Sequence, residues 1–349
     1  MGGKALTQVY TRRYSREEFY LLYDELKPKL QKAFNTQTAL VISYKTKSSF
    51  GDMDILLLNS GNTPTPDEIN KILIEEFGAS QIARNSTIYS FDYKQLQIDL
   101  IFTPTSNWET SKTFFSYNDL GNLLGKIYHK LGLSFGFSGL RFIYRTNEDR
   151  ILEEFIITKD FKKILEFIGL SYERYLEGFD TMIDIYDYII SSKYFEPTSF
   201  YLENLDQKNR KRNAKRANYA AFIEYIEELF GKDDKDRSKK YRYDKHKSKY
   251  YPIIHEYFKD EIDFLDTLKR LDIKEERRKI IVSKYNGNII MQYIPELSGY
   301  TLGHFIKDHD LYIKINHNTT LKDLIFTMEH RQIKELILTY YETWKNIQN

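Results

Sequence analysis

Gly51-Asp52-Met53-Asp54-Ile55-Leu56-Leu57 sets two carboxylates two residues apart at the head of an apolar run. A β-strand sends alternate side chains to opposite faces, so Asp52 and Asp54 project together while Met53, Ile55 and Leu57 face a core. Two like charges on adjacent same-face positions are costly unless cations or donors compensate them. Leu96-Gln97-Ile98-Asp99-Leu100-Ile101-Phe102 is a second apolar run that carries a third carboxylate. Donor sets made of carboxylates alone favour Mg²⁺, which keeps waters and substrate phosphates in its shell, so the pattern points to phosphoryl transfer. The plain alternative is that Asp52 and Asp54 merely end a strand.

At 349 residues the chain has the length of about two domains. Its net charge of +2 means that any positive surface for nucleic acid must be local. Cysteine is absent, which excludes disulfides, thiolate nucleophiles and zinc-thiolate sites and fits a reducing compartment. Met1-Gly2-Gly3-Lys4 lacks the apolar segment of a signal peptide, and Leu6 stands where myristoylation needs Ser or Thr. No apolar run approaches the roughly 20 residues of a membrane span. The expectation is a cytoplasmic protein with no membrane partner.

Working outward from the carboxylates, Ser15-Arg16-Glu17-Glu18 is a capping box, and Phe19, Leu22, Leu26 and Leu30 keep helical spacing, predicting a helix over 16–34 with a possible kink at Pro28. Residues 38–44 read as a buried strand, and 52–59 as the carboxylate strand. Thr65-Pro66-Asp67-Glu68 starts a helix that ends near Gly78. Segments 87–92 and 95–102 form a hairpin that brings Asp99 beside the first pair. Helices follow from Asn118 to Lys130 and from a Thr158 cap to Gly169. Beyond 176 apolar residues keep helical spacing and charged stretches appear at 206–216 and 232–249, which sets domains of 1–176 and 177–349.

Four passages, in order across about 40–175, resemble the nucleotidyltransferase superfamily of DNA polymerase β, and its X-family polymerases in particular. Gly51 to Leu57 is similar to the metal motif and Leu96 to Phe102 to the strand of the third aspartate. Leu131-Gly132-Leu133-Ser134-Phe135-Gly136-Phe137-Ser138-Gly139-Leu140 is similar to a glycine passage downstream of them, and Ile164 to Tyr175 resembles the closing Leu-Gly-Leu-x-Tyr signature. The passage from Asn118 to Leu140 also resembles nucleotidyltransferases encoded by large bacteriophages, which would place the protein in the host cytoplasm. The resemblance implies an α+β nucleotidyltransferase palm with a mixed or antiparallel sheet, followed by a mostly α-helical nucleic-acid-binding domain.

By that resemblance Asp52 and Asp54 would hold the nucleotide-binding metal, and Asp52, Asp54 and Asp99 the catalytic one, as two Mg²⁺ or Mn²⁺ ions about 4 Å apart. Asp99 would lie nearest the attacking 3′-hydroxyl. Ser43, with Lys45 and Lys47, would grip the triphosphate, although Ile42 stands where the family has a glycine and the interval from Ser43 to Asp52 is one residue short. Phe114 and Phe115 occupy the place of the sugar-sensing aromatic pair, or are core. Ser116-Tyr117-Asn118 replaces the Thr-Gly-Ser turn that follows in the family, and Gly125 replaces a template-touching arginine. Gly121 and Gly125 share one helix face, which calls for close packing there.

Lys208, Arg210, Lys211, Arg212, Lys215 and Arg216 put six cations into nine residues without an acid, a candidate nucleic-acid contact or a solvated charged face. Arg237 to Lys249 interleaves cations with Tyr241, Tyr243 and Tyr250, whose rings can stack on bases, or is a disordered loop. The segment from Asn286-Gly287 to Gly299-Tyr300-Thr301-Leu302-Gly303 is similar to tRNA CCA-adding enzymes. The expected reaction is transfer of a nucleoside monophosphate from a nucleoside triphosphate to a polynucleotide 3′-hydroxyl, with RNA or tRNA ends slightly ahead of DNA. Template-directed DNA repair synthesis, protein nucleotidylation and an inactive nucleic-acid-binding module remain the alternatives.

Overall fold

A computed structural model of the chain describes residues 5–61, 64–146, 149–231 and 247–348. Helix α1 (Arg16–Phe34) starts where the Ser15 hydroxyl accepts from the Glu18 N–H at 3.3 Å and the Glu18 carboxylate accepts from the Ser15 N–H at 2.8 Å. Phe19, Leu22, Leu26, Leu30 and Phe34 form its buried stripe, and the helix runs on through Pro28. Strand β1 (Tyr14–Ser15) pairs with β3 (Ser49–Phe50), so the start of α1 is tied to the segment that leads into β4 (Asp52–Asn59).

Five strands form a mixed sheet in the order β2-β4-β7-β6-β5, with β2 (Thr38–Leu40), β5 (Ile82–Asn85), β6 (Ile88–Tyr93) and β7 (Leu96–Pro104). β4 and β7 are parallel, and the other pairs are antiparallel. Met53, Ile55, Leu57, Ile98 and Leu100 are fully buried with α1 and with α2 (Pro66–Phe77). Each such side chain contributes on the order of 1.5–3 kcal/mol, which fixes the register and therefore the opposite, carboxylate-bearing face. The β6–β7 hairpin turns at Lys94 and Gln95, both left-handed at φ 48° and 66°, a two-residue geometry usually given to Asn-Gly.

Two expectations change. The strand expected over 38–44 ends at Leu40, because the Lys45 and Thr46 N–H groups donate to the carbonyls of Phe179 and Asp180 at 2.8 and 2.9 Å instead of to the sheet. The helix after residue 158 is capped by Asp160, which accepts from the Lys163 N–H at 3.2 Å, while buried Thr158 ends a strand. That strand, β10 (Ile151–Thr158), joins β8 (Leu133–Gly136) and β9 (Gly139–Arg145) in a three-stranded sheet. Between the sheets lie α3 (Trp108–Phe115) and α4 (Leu120–Lys130). After β10 come α5 (Phe161–Phe167), α6 (Tyr172–Glu177), α7 (Met182–Ile190), α8 (Gln207–Asn213) and α9 (Ala217–Phe230). The chain is thus α+β, with a mixed sheet and a helical C-terminal region.

The chain divides into two compact units, Met1–Ile143 with Glu154–Phe264, and Tyr144–Glu153 with Leu265–Asn349. The described residues 177–231 and 247–264 therefore pack in the same unit as the five-stranded sheet. Residues 232–246 of the expected basic stretch, Tyr241 and Tyr243 among them, lie outside the described residues. In the second unit, helices Gly287–Tyr293, Gly299–His317, Leu321–Thr327 and His330–Gln348 surround Ile290, Phe305, Ile313, Ile325 and Ile337. The glycine passages there are helix starts: Asn286 accepts from the Ile289 N–H at 3.0 Å, and Ser298 forms a reciprocal cap with Thr301. Among the described residues no helix is long and apolar enough to cross a membrane.

His309 is fully buried in this second core, with Nδ1 2.9 Å from the Tyr285 hydroxyl and its ring stacked on Tyr340 at 4.2 Å. Burial pushes its pKa down to about 4 against the weaker pull of Asp310. Between that value and the ordinary value of about 6.5 the unfolded chain binds the extra proton, so stability is full above pH ~6.5 and falls as pH drops through the window. The loss reaches about 3 kcal/mol. Urea unfolding of this unit's helices at pH 7 and 4.5 is expected to show it, and His309→Phe to flatten it; an unchanged pH slope in the variant would reject the assignment.

Candidate functional site

The parallel pairing sets Asp54 directly opposite Asp99 and Asp52 opposite Gln97, so all three aspartates share one sheet face. Asp52 and Asp54 open into a cavity of about 560 Å³. Burial, and then the charges of Asp52 and Asp99, push Asp54 well above the usual carboxylate range, with Lys47 pulling the other way. Asp99 is raised to about 6 by burial and by Asp52, against hydrogen bonds from Ser90 and Gln97. Gln97 Nε2 donates to both Asp99 oxygens, at 2.9 and 3.1 Å.

Among the described residues no three carboxylate or imidazole side chains stand together as a metal-ligand group. The three-aspartate ligand set expected from the sequence is therefore not assembled: the backbone aligns the trio, but the Asp99 oxygens are turned to Gln97. Asp52 and Asp54 remain a fitting pair for a hard divalent cation, because Mg²⁺ is commonly held by one or two carboxylates together with substrate phosphates. Their like charges on one face are what such a cation would relieve.

Of the residues expected to grip a triphosphate, Ser43 and Lys47 line the cavity and Lys45 does not. Lys45 instead pairs with Asp180 at 2.9 Å. The Lys47 ammonium sits 3.3 Å from the Ser43 hydroxyl and 4.5 Å from the Phe50 ring centre. Burial pushes it down, and the charges of Asp52 and Asp54 hold it up. Arg13 also reaches the cavity, fixed by the Ser49 hydroxyl at 2.7 Å and the Ser49 carbonyl at 2.8 Å. Nothing in its sequence neighbourhood marked it, because only the β1–β3 pairing carries it to the carboxylates.

Phe114 and Phe115 line the same cavity, edge to face at 5.2 Å. After them Tyr117 and Asn118 both adopt left-handed backbone, φ 57° and 60°, at the turn where the resembling family has glycine. A bulky residue there is strained, and the Tyr117 ring is held by Tyr175 and Phe179 at 5.3 and 4.9 Å. The turn aims Asn118 at the cavity, and its buried Oδ1 has no hydrogen-bond partner.

The basic segment reaches the site through a ladder between α4 and the stretch 209–216. Asp119 pairs with Arg216, Asn122 Nδ2 donates to Asn213 Oδ1 at 3.0 Å, and the Lys126 ammonium donates to Asn209 Oδ1 at 2.9 Å. The intervals three and four along α4 are matched in reverse on the partner, so two helical faces meet antiparallel. This places Arg212, Lys215 and Arg216 on the cavity wall. Lys208 and Lys211 are exposed and do not line it, and Arg210 is spent on the carbonyls of Leu202, Glu203 and Leu205 at 3.0–3.1 Å.

No family model matches the chain, and no curated protein matches it in sequence. Among solved structures the chain is similar to Leishmania infantum polymerase beta in a ternary P/T complex, at 15% identity and a TM-score of 0.32 over 40% of this chain. The match spans 60% of that polymerase.

Proposed function

We propose that the protein is a metal-dependent nucleotidyltransferase that joins a nucleoside monophosphate to a polynucleotide 3′-hydroxyl. The observation that carries this reading is one cavity holding Asp52 and Asp54 on one wall and Lys47, Arg212, Lys215 and Arg216 on the others. Carboxylates suit a divalent cation, and the cations suit phosphates on either side of it. The 3′-oxygen attacks the α-phosphorus, the bond to the β-phosphate oxygen breaks, and pyrophosphate leaves. Asp52 and Asp54 would hold Mg²⁺ or Mn²⁺, which when bound neutralises charge on the phosphoryl oxygens. In this reading Lys47 and Ser43 bind the triphosphate, and Phe114 and Phe115 flank the sugar. Asp99 leaves Gln97 to take the proton of the attacking hydroxyl.

Arg212, Lys215 and Arg216 are assigned to the acceptor strand. Lys215→Gln is expected to weaken binding of RNA or DNA equally across sequences and to lower the salt slope of log K by about 1, measured as retention against salt concentration. A sequence-dependent loss, or an unchanged slope, would remove Lys215 from the strand path. RNA and DNA both fit, and the capped glycine passages of the second unit add no preference for tRNA.

The direct test incubates the protein with each labelled ribo- and deoxyribonucleotide, Mg²⁺ or Mn²⁺, and separate RNA, DNA and protein acceptors. Label on RNA or DNA supports the proposal, and label on protein alone rejects it. The hold of Gln97 on both Asp99 oxygens favours one second reading, an inactive nucleic-acid-binding module. It predicts strand retention with no label on any acceptor.

A further inference from the structure

Leu205 and Tyr219 are buried, and the Tyr219 hydroxyl donates to the Phe200 carbonyl at 2.5 Å. Between these anchors residues 206–218 bury no apolar side chain. Arg210 ties α8 to the carbonyls of its own preceding turn, so this strap rests on α4 through the polar rungs of the ladder: Asp119 with Arg216, Asn122 with Asn213 and Lys126 with Asn209. The middle rung is incomplete, since Asn213 is 1% exposed and its Nδ2 has no hydrogen-bond partner among the described residues. A segment held by polar contacts of this kind opens locally at a free energy well below that of global unfolding.

The Asp119 rung is the one a ligand can exchange. The Asp119 side chain is 7% exposed and that of Arg216 35%, and both line the carboxylate cavity with Arg212 and Lys215. Burial, and then Arg216, push the Arg212 guanidinium down, while Asp119 holds it up. One buried carboxylate therefore offsets two guanidinium groups at the cavity wall. A backbone phosphate in the cavity offers Arg216 what Asp119 offers, a negative charge and two oxygens matched to the guanidinium fork. Losing Arg216 leaves a buried carboxylate short of a partner, which is costly, so the strap returns when the phosphate departs.

We propose that Asp119 is a positioning residue that latches Arg216, and with it the strap 206–218, until a phosphodiester of a single strand replaces its carboxylate on the guanidinium. Strand entry and release of the strap are then one event. The inference rests on the assignment of Arg212, Lys215 and Arg216 to the acceptor strand, and it is independent of the reaction at Asp52 and Asp54.

Hydrogen exchange and binding, both on the full chain, test it with three probes: single-stranded DNA, RNA of the same sequence, and pyrophosphate. Asp119 makes no side-chain cap on α4, so Asp119→Asn leaves the start of that helix intact. In this variant the amides of 207–216 are expected to exchange about tenfold faster than in the parent, with those of α4 unchanged. It should also bind either strand about tenfold more tightly at low salt and steepen the salt slope of log K by about 1, because Arg216 no longer leaves a carboxylate behind. Asp119→Glu, which keeps the charge, should restore parental binding. Arg216→Gln covers the case in which Asp119→Asn fails to fold: it should loosen the strap as much while weakening the strand. Strand affinity unchanged or lowered in Asp119→Asn overturns the latch and leaves the strand path standing. So does an equal gain in the control Glu203→Gln, which would mean a general field effect. An equal gain for pyrophosphate hands the latch to the triphosphate and overturns the strand exchange. Absence of binding by both strands removes the strand path and the latch with it.

Discussion

Asp54→Asn is expected to reduce nucleotide incorporation by about a thousandfold, equivalent to about 4 kcal/mol of transition-state stabilisation, while leaving thermal stability unchanged or raised. The two halves of this expectation come from the same geometry. Asp54 lies between Asp52 along its own strand and Asp99 across the pairing, and burial adds to their repulsion. An amide of the same shape removes a charge that the metal-free fold does not favour, so folding loses nothing. The cation, however, loses half of its carboxylate pair. Asp99→Asn should likewise abolish incorporation, since Asp99 is assigned the proton of the attacking hydroxyl. Incorporation within tenfold of the parent in Asp54→Asn, with circular dichroism unchanged, would end the proposed reaction.

Gly121→Ala is expected to destabilise the first unit by about 4 kcal/mol, the upper end for a single substitution, and Gly125→Ala to stabilise it by up to about 1 kcal/mol. A Cβ on Gly121 would stand 2.3 Å from the Phe114 carbonyl oxygen and 3.0 Å from its ring, so either the backbone of α3 or all of α4 must shift. At Gly125 the nearest atom, the Phe135 carbonyl oxygen, is 3.9 Å away, which is ordinary contact. Alanine there gains helix propensity without a clash. Because Phe114 lines the carboxylate cavity, Gly121→Ala should also raise KM for the nucleotide in whatever fraction stays folded. Denaturant midpoints of the two variants decide it: midpoints shifted equally would mean that the packing of Phe114 on α4 is not what holds glycine at 121.

The helix over 16–34, the carboxylate strand, the hairpin bearing Asp99 and the cap at Thr65 were legible because each signal is local: a reciprocal cap, a period of 3.6 or a period of 2. Strands β8, β9 and β10 carry no such local signal. The β10 stretch Ile151-Leu152-Glu153-Glu154-Phe155-Ile156-Ile157 alternates poorly, and its pairing is set by partners rather than by its own pattern. Thr158 precedes an apolar run as a helix cap does, yet Asp160 two residues on has the extended backbone and accepts from the Lys163 N–H. The basic run 208–216 was legible as charge alone. Only its ladder onto α4 separates Arg212, Lys215 and Arg216, which face the cavity, from Arg210, which holds carbonyls.

What the amino-acid sequence determined by itself is the order of elements in the first half and the placement of Asp52 and Asp54 on one face, since side-chain alternation in a strand follows from covalent geometry. What only the tertiary structure decided is what surrounds those carboxylates: Lys47 rather than Lys45, Arg13 brought by a two-residue strand pair, and Asp99 aligned with Asp54 yet turned to Gln97. Those outcomes depend on long-range pairing and on which polar group reaches a partner first, and neither is encoded in the spacing of neighbouring residues.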